Sequence, residues 1–200
     1  MKGNVYTICF AARLGTVCAT LLTGVAKFTE EPRERNKLAE KNRNIFTALN
    51  IKFDKKASAE ELLKIYDENI KPEERQGKPV LYRHVVNGTV KGVAVLFEGN
   101  GLWGKIKGVL ALEDDMETIK GITFYEQEET PGIGANIVEP YFRDRFVGKK
   151  IVGTDGKPGI VIKDRLRNPK QNEIDGISGA TMTVNKVNDM LNKTIDKLKS

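Results

Sequence analysis

The longest apolar run in the chain is 5–26, mostly apolar or small residues broken by a single charge, Arg13. At about 1.5 Å of rise per residue, a helix of this length covers a bilayer core of about 30 Å. A signal peptide would carry a shorter and charge-free apolar region, so the run predicts an uncleaved single-pass anchor. Arg13 at mid-helix costs about 2.5–3.5 kcal/mol on insertion scales, which leaves it to snorkel or to face another subunit's helix. Beyond the anchor the period becomes helical: in 33–49, Leu38, Ile45, Phe46 and Leu49 share one face. Ser58 and Glu61 form a capping box that opens a second helix, with Leu62, Leu63 and Tyr66 inward and Pro72 ending it. Alternation then takes over. Strands over 80–86 and 89–97 flank Asn87-Gly88, a strong hairpin signal, and two more lie over 105–112 and 119–126 around Asp114-Asp115. The alternation is one-sided, which predicts an α+β fold: a mainly antiparallel sheet with helices on one face. Pro140 suits the start of a short helix through Phe146, stopped by Gly148, and a small hairpin centres on Asp155-Gly156. After a polar loop at 165–173, a final helix over 184–198 presents Val187, Leu191, Ile195 and Leu198 to the core. The expected organisation is an anchor at 1–27, a helical connector at 28–78 and a folded domain at 79–200.

Composition changes this picture little. Two hundred residues with 40% hydrophobic content make one domain of ordinary size. The net charge of +6 comes from Lys and Arg interleaved with Asp and Glu. No basic stripe with aromatics appears, so nucleic acid is not an expected partner. The flank 27–43 carries six Lys/Arg against four Glu, but charge counts orient long domains poorly, and the orientation stays open. The two cysteines, Cys9 and Cys18, lie half a helical turn out of phase and cannot ligate one metal together. No metal site is expected.

Candidate chemistry lies in three loops. Residues 175–181 read D-G-I-S-G-A-T, small residues beside hydroxyls just before the last helical pattern. Small side chains let a ligand approach backbone amides, and a helix start offers free N–H groups to an anion. Thr181 is therefore read as the anchor of a phosphate; a turn with Thr181 or Thr183 capping the helix is the alternative. Residues 129–134 read E-T-P-G-I-G, a loop that can lie against a flat ring or serve as a tight turn. Residues 99–104, G-N-G-L-W-G, hold the only tryptophan, Trp103, either to meet a planar ligand or to cap the sheet. The single histidine, His84, sits mid-strand and reads as structural. With one histidine and no cysteine outside the anchor, no nucleophile–histidine–acid set can be assembled, and no catalytic residue is named.

These strings resemble the FMN-binding subunits of the sodium-pumping NADH:quinone oxidoreductase (Nqr) and its relative Rnf, whose attachment motif runs Asp-Gly-x-Ser/Thr-Gly-Ala-Thr. Asp175, Gly176, Ser178, Gly179, Ala180 and Thr181 match it. The G-L-W stretch from Gly101, L-A-L from Leu110, G-I-T-F-Y from Gly121 and the E-T-P-G-I-G loop look closest to the NqrC branch of this family, with the RnfG branch as the near relative. The resemblance implies a single-pass protein of a bacterial inner membrane whose FMN domain faces outward. It implies FMN bound covalently through a phosphoester on Thr181, attached by a separate flavin transferase using FAD and Mg²⁺. The ring would lie near Glu129, Thr130, Gly132, Ile133, Gly134, Leu102 and Trp103. The implied role is electron relay between neighbouring subunits, coupled to sodium movement in Nqr or to ferredoxin and NAD in Rnf. A flavin-free, membrane-tethered assembly protein is the reading of a different class.

Overall fold

The computed structural model describes residues 2–200, with side chains from Val5 onward. The chain divides into two compact units, 1–39 and 40–200. The first unit is helical, formed by most of α1 (Lys2–Ala48), whose amino-terminal part is long and apolar enough to cross a membrane. Its apolar side chains, Phe10, Leu14, Leu21 and Val25 among them, are exposed. Several of its threonine hydroxyls are satisfied within the helix. Thr16 donates to the Ala12 carbonyl at 2.9 Å and Thr20 to that of Thr16 at 2.8 Å. Such back-bonding suits a helix whose surroundings offer no water.

In the second unit, Ser58 and Glu61 close the expected capping box, each side chain meeting the other residue's backbone N–H, at the start of α2 (Ala59–Asn69). Leu62 is buried, whereas Leu63, expected to face inward, is exposed; Leu38, in the first unit, is exposed as well. Five antiparallel strands follow in chain order across one sheet: β1 (Ile70–Glu73), β2 (Leu81–Val86), β3 (Thr89–Asn100), β4 (Lys105–Leu112) and β5 (Ile119–Glu126). Strand β1 had not been expected. It is an edge strand whose Pro72 costs no interior ladder bond. The β2–β3 turn places Asn87 and Gly88 at φ 50° and 76°, as a type I′ hairpin requires.

The sheet is covered on both faces rather than one. On one side Val93, Val95, Phe97, Leu110 and Ile122 pack with the last helix and with an aromatic chain of Phe124, Phe142 and Phe146. Within that chain Phe97 meets Phe124 edge-on at 5.5 Å and Phe142 meets Phe146 edge-on at 5.2 Å. On the other side lies the end of α1, with Ile45, Phe46 and Leu49 buried. Gly121 makes this approach possible, because a Cβ there would stand 2.5 Å from the Ala48 carbonyl oxygen. Burial on both faces explains why the central part of β4, Gly108–Leu112, is buried without alternation.

After β5 the chain forms a 3-10 turn (Gly134–Val138), the short α3 (Pro140–Arg143) and a second 3-10 turn (Asp144–Phe146), ending at Gly148 with φ 75°. The turn at Asp155-Gly156 is closed by a single bridge between Val152 and Pro158. Two three-residue strands, β6 (Val161–Lys163) and β7 (Glu173–Asp175), then pair in parallel. The final helix, α4 (Thr181–Lys199), is sewn to this region by two asparagines. Asn192 accepts from the Ile160 N–H at 2.8 Å and donates to its carbonyl at 2.9 Å, and Asn188 accepts from the Ile162 N–H at 3.0 Å.

Two outcomes follow from this packing. Phe142→Ala removes a fully buried ring from the aromatic chain and lowers stability by about 3–5 kcal/mol in denaturant titrations. Asp115, in the β4–β5 turn, is subject to burial, which raises its pKa. That is outweighed by hydrogen bonds from the Thr118 hydroxyl, the Thr118 and Glu117 N–H groups and by Lys150, so the carboxyl titrates well below its usual range. A lowered folded-state pKa stabilises the fold above the unfolded-state value of about 3.9, and the contribution is lost as pH falls through the folded-state value. Asp115→Asn therefore lowers stability at neutral pH and costs progressively less as the medium is acidified, which urea midpoints measured across pH would register.

Candidate functional site

Three segments remote in sequence converge where α4 begins. The loop between β3 and β4 is closed by the Gly101 N–H donating to the Gly104 carbonyl at 2.7 Å, and it carries Leu102 and Trp103 outward. The E-T-P-G-I-G loop turns at Gly132, φ 74°, where the N–H groups of Ile133 and Ala135 return to the Thr130 carbonyl. The third segment is the end of β7, the turn at Gly179 with φ 83°, and the first turn of α4.

Arg145 holds that third segment from below. Its guanidinium donates to the carbonyls of Asp175, at 3.0 Å, and of Gly176, and pairs with the Asp175 carboxylate at 3.9 Å. The other Asp175 oxygen accepts from the Leu166 N–H. Asp175 thus shapes the backbone leading to the helix and does not reach the cleft.

The cleft itself has a volume of about 160 Å³. Leu102 forms one wall and Thr130, Ile133 and Gly134 a second; residues 179–183 of the third segment complete it. Met182 and Thr183 belong to this lining, although sequence reasoning had not placed either there as a ligand contact. Trp103, 69% exposed, stands beside the lining, as do Gly132 and the exposed Ser178.

Helix α4 starts at Thr181, three residues earlier than the period suggested, and its N-cap is Ala180, which provides no side-chain cap. Thr183 is therefore not a helix cap. It is buried, and its hydroxyl donates to Glu129 Oε2 at 2.5 Å across 54 positions of chain. The other carboxylate oxygen, Oε1, accepts from the Leu102 N–H at 2.8 Å and the Trp103 N–H at 3.2 Å. Glu129 is 4% exposed and bonds to the other two cleft segments from its own. Thr181, by contrast, is exposed at the cleft, its hydroxyl 3.4 Å from the Asp164 carboxylate. Among the described residues, no cluster of three or more His, Cys, Asp or Glu is arranged to hold a metal ion.

An uncapped start of a 19-residue helix leaves its first amides free to face an anion, with the dipole's positive end toward it. The cleft is smaller than the roughly 300–1,000 Å³ of pockets that enclose whole ligands. It suits a group held at one end and lying partly open to solvent, such as a phosphate on α4 with an attached flat ring against Leu102 and Ile133.

Residues 101–196 match the FMN-binding domain family. NqrC of the Na⁺-translocating NADH-quinone reductase from Vibrio alginolyticus is 39% identical over 114 residues, and that from Vibrio campbellii 42% identical over 105. These matches cover 56% and 52% of the chain but 44% and 40% of the relatives, so the chain spans under half the length of the curated relatives it matches. The crystal structure of the same reductase component from Parabacteroides distasonis superposes with a TM-score of 0.68 at 27% identity, over 81% of this chain and 90% of that one. NqrC of Shewanella oneidensis shares the fold, with a TM-score of 0.66 at 24% identity over 80% and 91% of the two chains. The resemblance drawn from the sequence motifs thus extends to the fold of these structures.

Gly134 marks the tightest approach in the cleft. A Cβ there would lie 2.6 Å from the Thr183 hydroxyl and 3.0 Å from Glu129 Cβ. Gly134→Ala overpacks the site and is expected to cost about 1–3 kcal/mol of stability, read from the shift of a urea unfolding midpoint.

Proposed function

We propose that this chain is an electron-transfer subunit of a membrane redox complex of the Na⁺-translocating NADH:quinone reductase type, with FMN bound through a phosphoester to Thr181. The observation that carries this reading is the exposed Thr181 hydroxyl at the uncapped start of α4, opening on the cleft. The first-turn amides of α4 would hold the phosphate, with the ring against Leu102, Ile133 and Gly134. Asp164 is exposed and lies on a surface loop, so its carboxylate is free to turn away from a phosphate on Thr181. Bound FMN supplies one- and two-electron transfer, and attachment through the phosphate leaves its ring unsubstituted.

The names of the relatives support the sodium-translocating assignment. The organisation fits as well: an anchor at 1–27 in the inner membrane, a connector at 28–78, and the flavin domain at 79–200 on the outer side. The apolar stretch 5–26 contains no Asp or Glu, so the ion path is assigned to other subunits and little activity is expected of the chain alone. A flavin transferase, with FAD and Mg²⁺, would form the bond, which makes Thr181 a modification site rather than a nucleophile acting in turnover.

Co-expression with a flavin transferase tests this reading. The denatured chain is expected to give a fluorescent band on a gel, lost in Thr181→Ala and retained in Thr183→Ala. A band that survives Thr181→Ala assigns the flavin to another residue, and a dark wild-type band favours a flavin-free assembly protein.

A further inference from the structure

We infer that the Glu129 carboxylate sets the reduction potential of the group held in the cleft, acting as a buried negative charge one layer behind its wall. The inference rests on the reading that the cleft holds FMN. Glu129 does not line the cleft, but its hydrogen-bond partners Leu102 and Thr183 do, and so does its sequence neighbour Thr130. Both of its oxygens act purely as acceptors, the pattern of an ionised carboxylate. None of the ion pairs between described residues includes Glu129. Its charge is held by two backbone N–H groups and one hydroxyl, with no cation paired to it among the described residues.

A carboxylate held only by neutral dipoles in a poorly screened interior acts on any charge that develops nearby. Adding an electron to a ring in the cleft adds negative charge beside Glu129, so the carboxylate opposes reduction and makes the potential more negative. Packing around the group is already tight. Gly134 approaches the Glu129 side chain so closely that a Cβ would stand 3.1 Å from Oε2. The charge therefore cannot swing away when the ring is reduced. Glu129 is accordingly a positioning residue for the walls and a fixed charge toward the ring, without contacting it.

Glu129→Gln separates these two roles. Its amide oxygen can accept from the Leu102 and Trp103 N–H groups while its NH₂ donates to Thr183, so the walls keep their places and the charge is removed. In the full chain loaded with covalent FMN, the flavin content is expected to stay at the wild-type level. The midpoint potential should rise by about tenfold in the one-electron equilibrium, about 59 mV. Thr183→Val is the second variant: it keeps the charge, removes one of its donors, and should shift the potential to the negative side. A loaded Glu129→Gln chain with an unchanged or more negative potential overturns the inference. If Glu129→Gln fails to fold, a Thr183→Val chain without a negative shift overturns it equally. A positive shift in both variants assigns the effect to lost packing and also rejects it. Wild-type protein that carries no flavin at all refutes the FMN reading instead, which keeps the two failures distinguishable.

Discussion

The Glu129 carboxylate joins three pieces of chain that have no other reason to meet at a fixed spacing: the G-N-G-L-W-G loop, the E-T-P-G-I-G loop and the first turn of α4. Its two oxygens satisfy the Leu102 and Trp103 N–H groups on one side and the Thr183 hydroxyl on the other. Burying a carboxylate without a cation is costly, and an incomplete set of donors would make it more so. The three donors together hold the walls of the cleft at their present spacing. The glycines at 101 and 134 follow from this constraint, since a Cβ at 101 would collide with the Glu129 carboxylate and one at 134 with the Thr183 hydroxyl bonded to it.

Around that network the fold works as a mount for the start of α4. The helix is seated on the sheet through Val187, Leu191 and Ile195 and is sewn along one side to the 160–162 segment by Asn188 and Asn192. Arg145 fixes the approach from β7 by holding two successive carbonyls. With its body held this way, the helix needs no side-chain cap for stability, and its free amides are left for a ligand. The sheet is in turn held from behind by the end of α1, which lies close enough to Gly121 to exclude any side chain there. Rigid support and an open helix end are two aspects of the same packing.

Much of the fold was legible in the residues. The β2–β3 hairpin with its Asn87-Gly88 turn, strands β4 and β5, and the capping box at Ser58 all rest on neighbours in sequence, where local chemistry decides. What escaped has its causes elsewhere. Strand β1 reads I-K-P-E and shows no apolar alternation, because an edge strand needs only one paired side. The β6–β7 pair consists of three residues each, held by partners across a polar loop. Leu63 shows that apolar character alone does not choose the buried face of a short helix. For the site, the three loops stood out by composition, but the local signals around Thr183 suggested a cap. Its actual partner is 54 positions away, a distance over which no local signal extends.

Sequence alone determined the long apolar run at 5–26, the antiparallel order of the central strands and the D-G-I-S-G-A-T string ending at Thr181, because periodicity, turn chemistry and a contiguous motif are all local properties. Only the tertiary structure decided that both faces of the sheet are covered, that α4 starts at Thr181 without a cap, and that Thr183 faces a buried carboxylate. Each of these depends on which distant groups compete for the same donors and the same space, and that competition is settled only when the chain is packed.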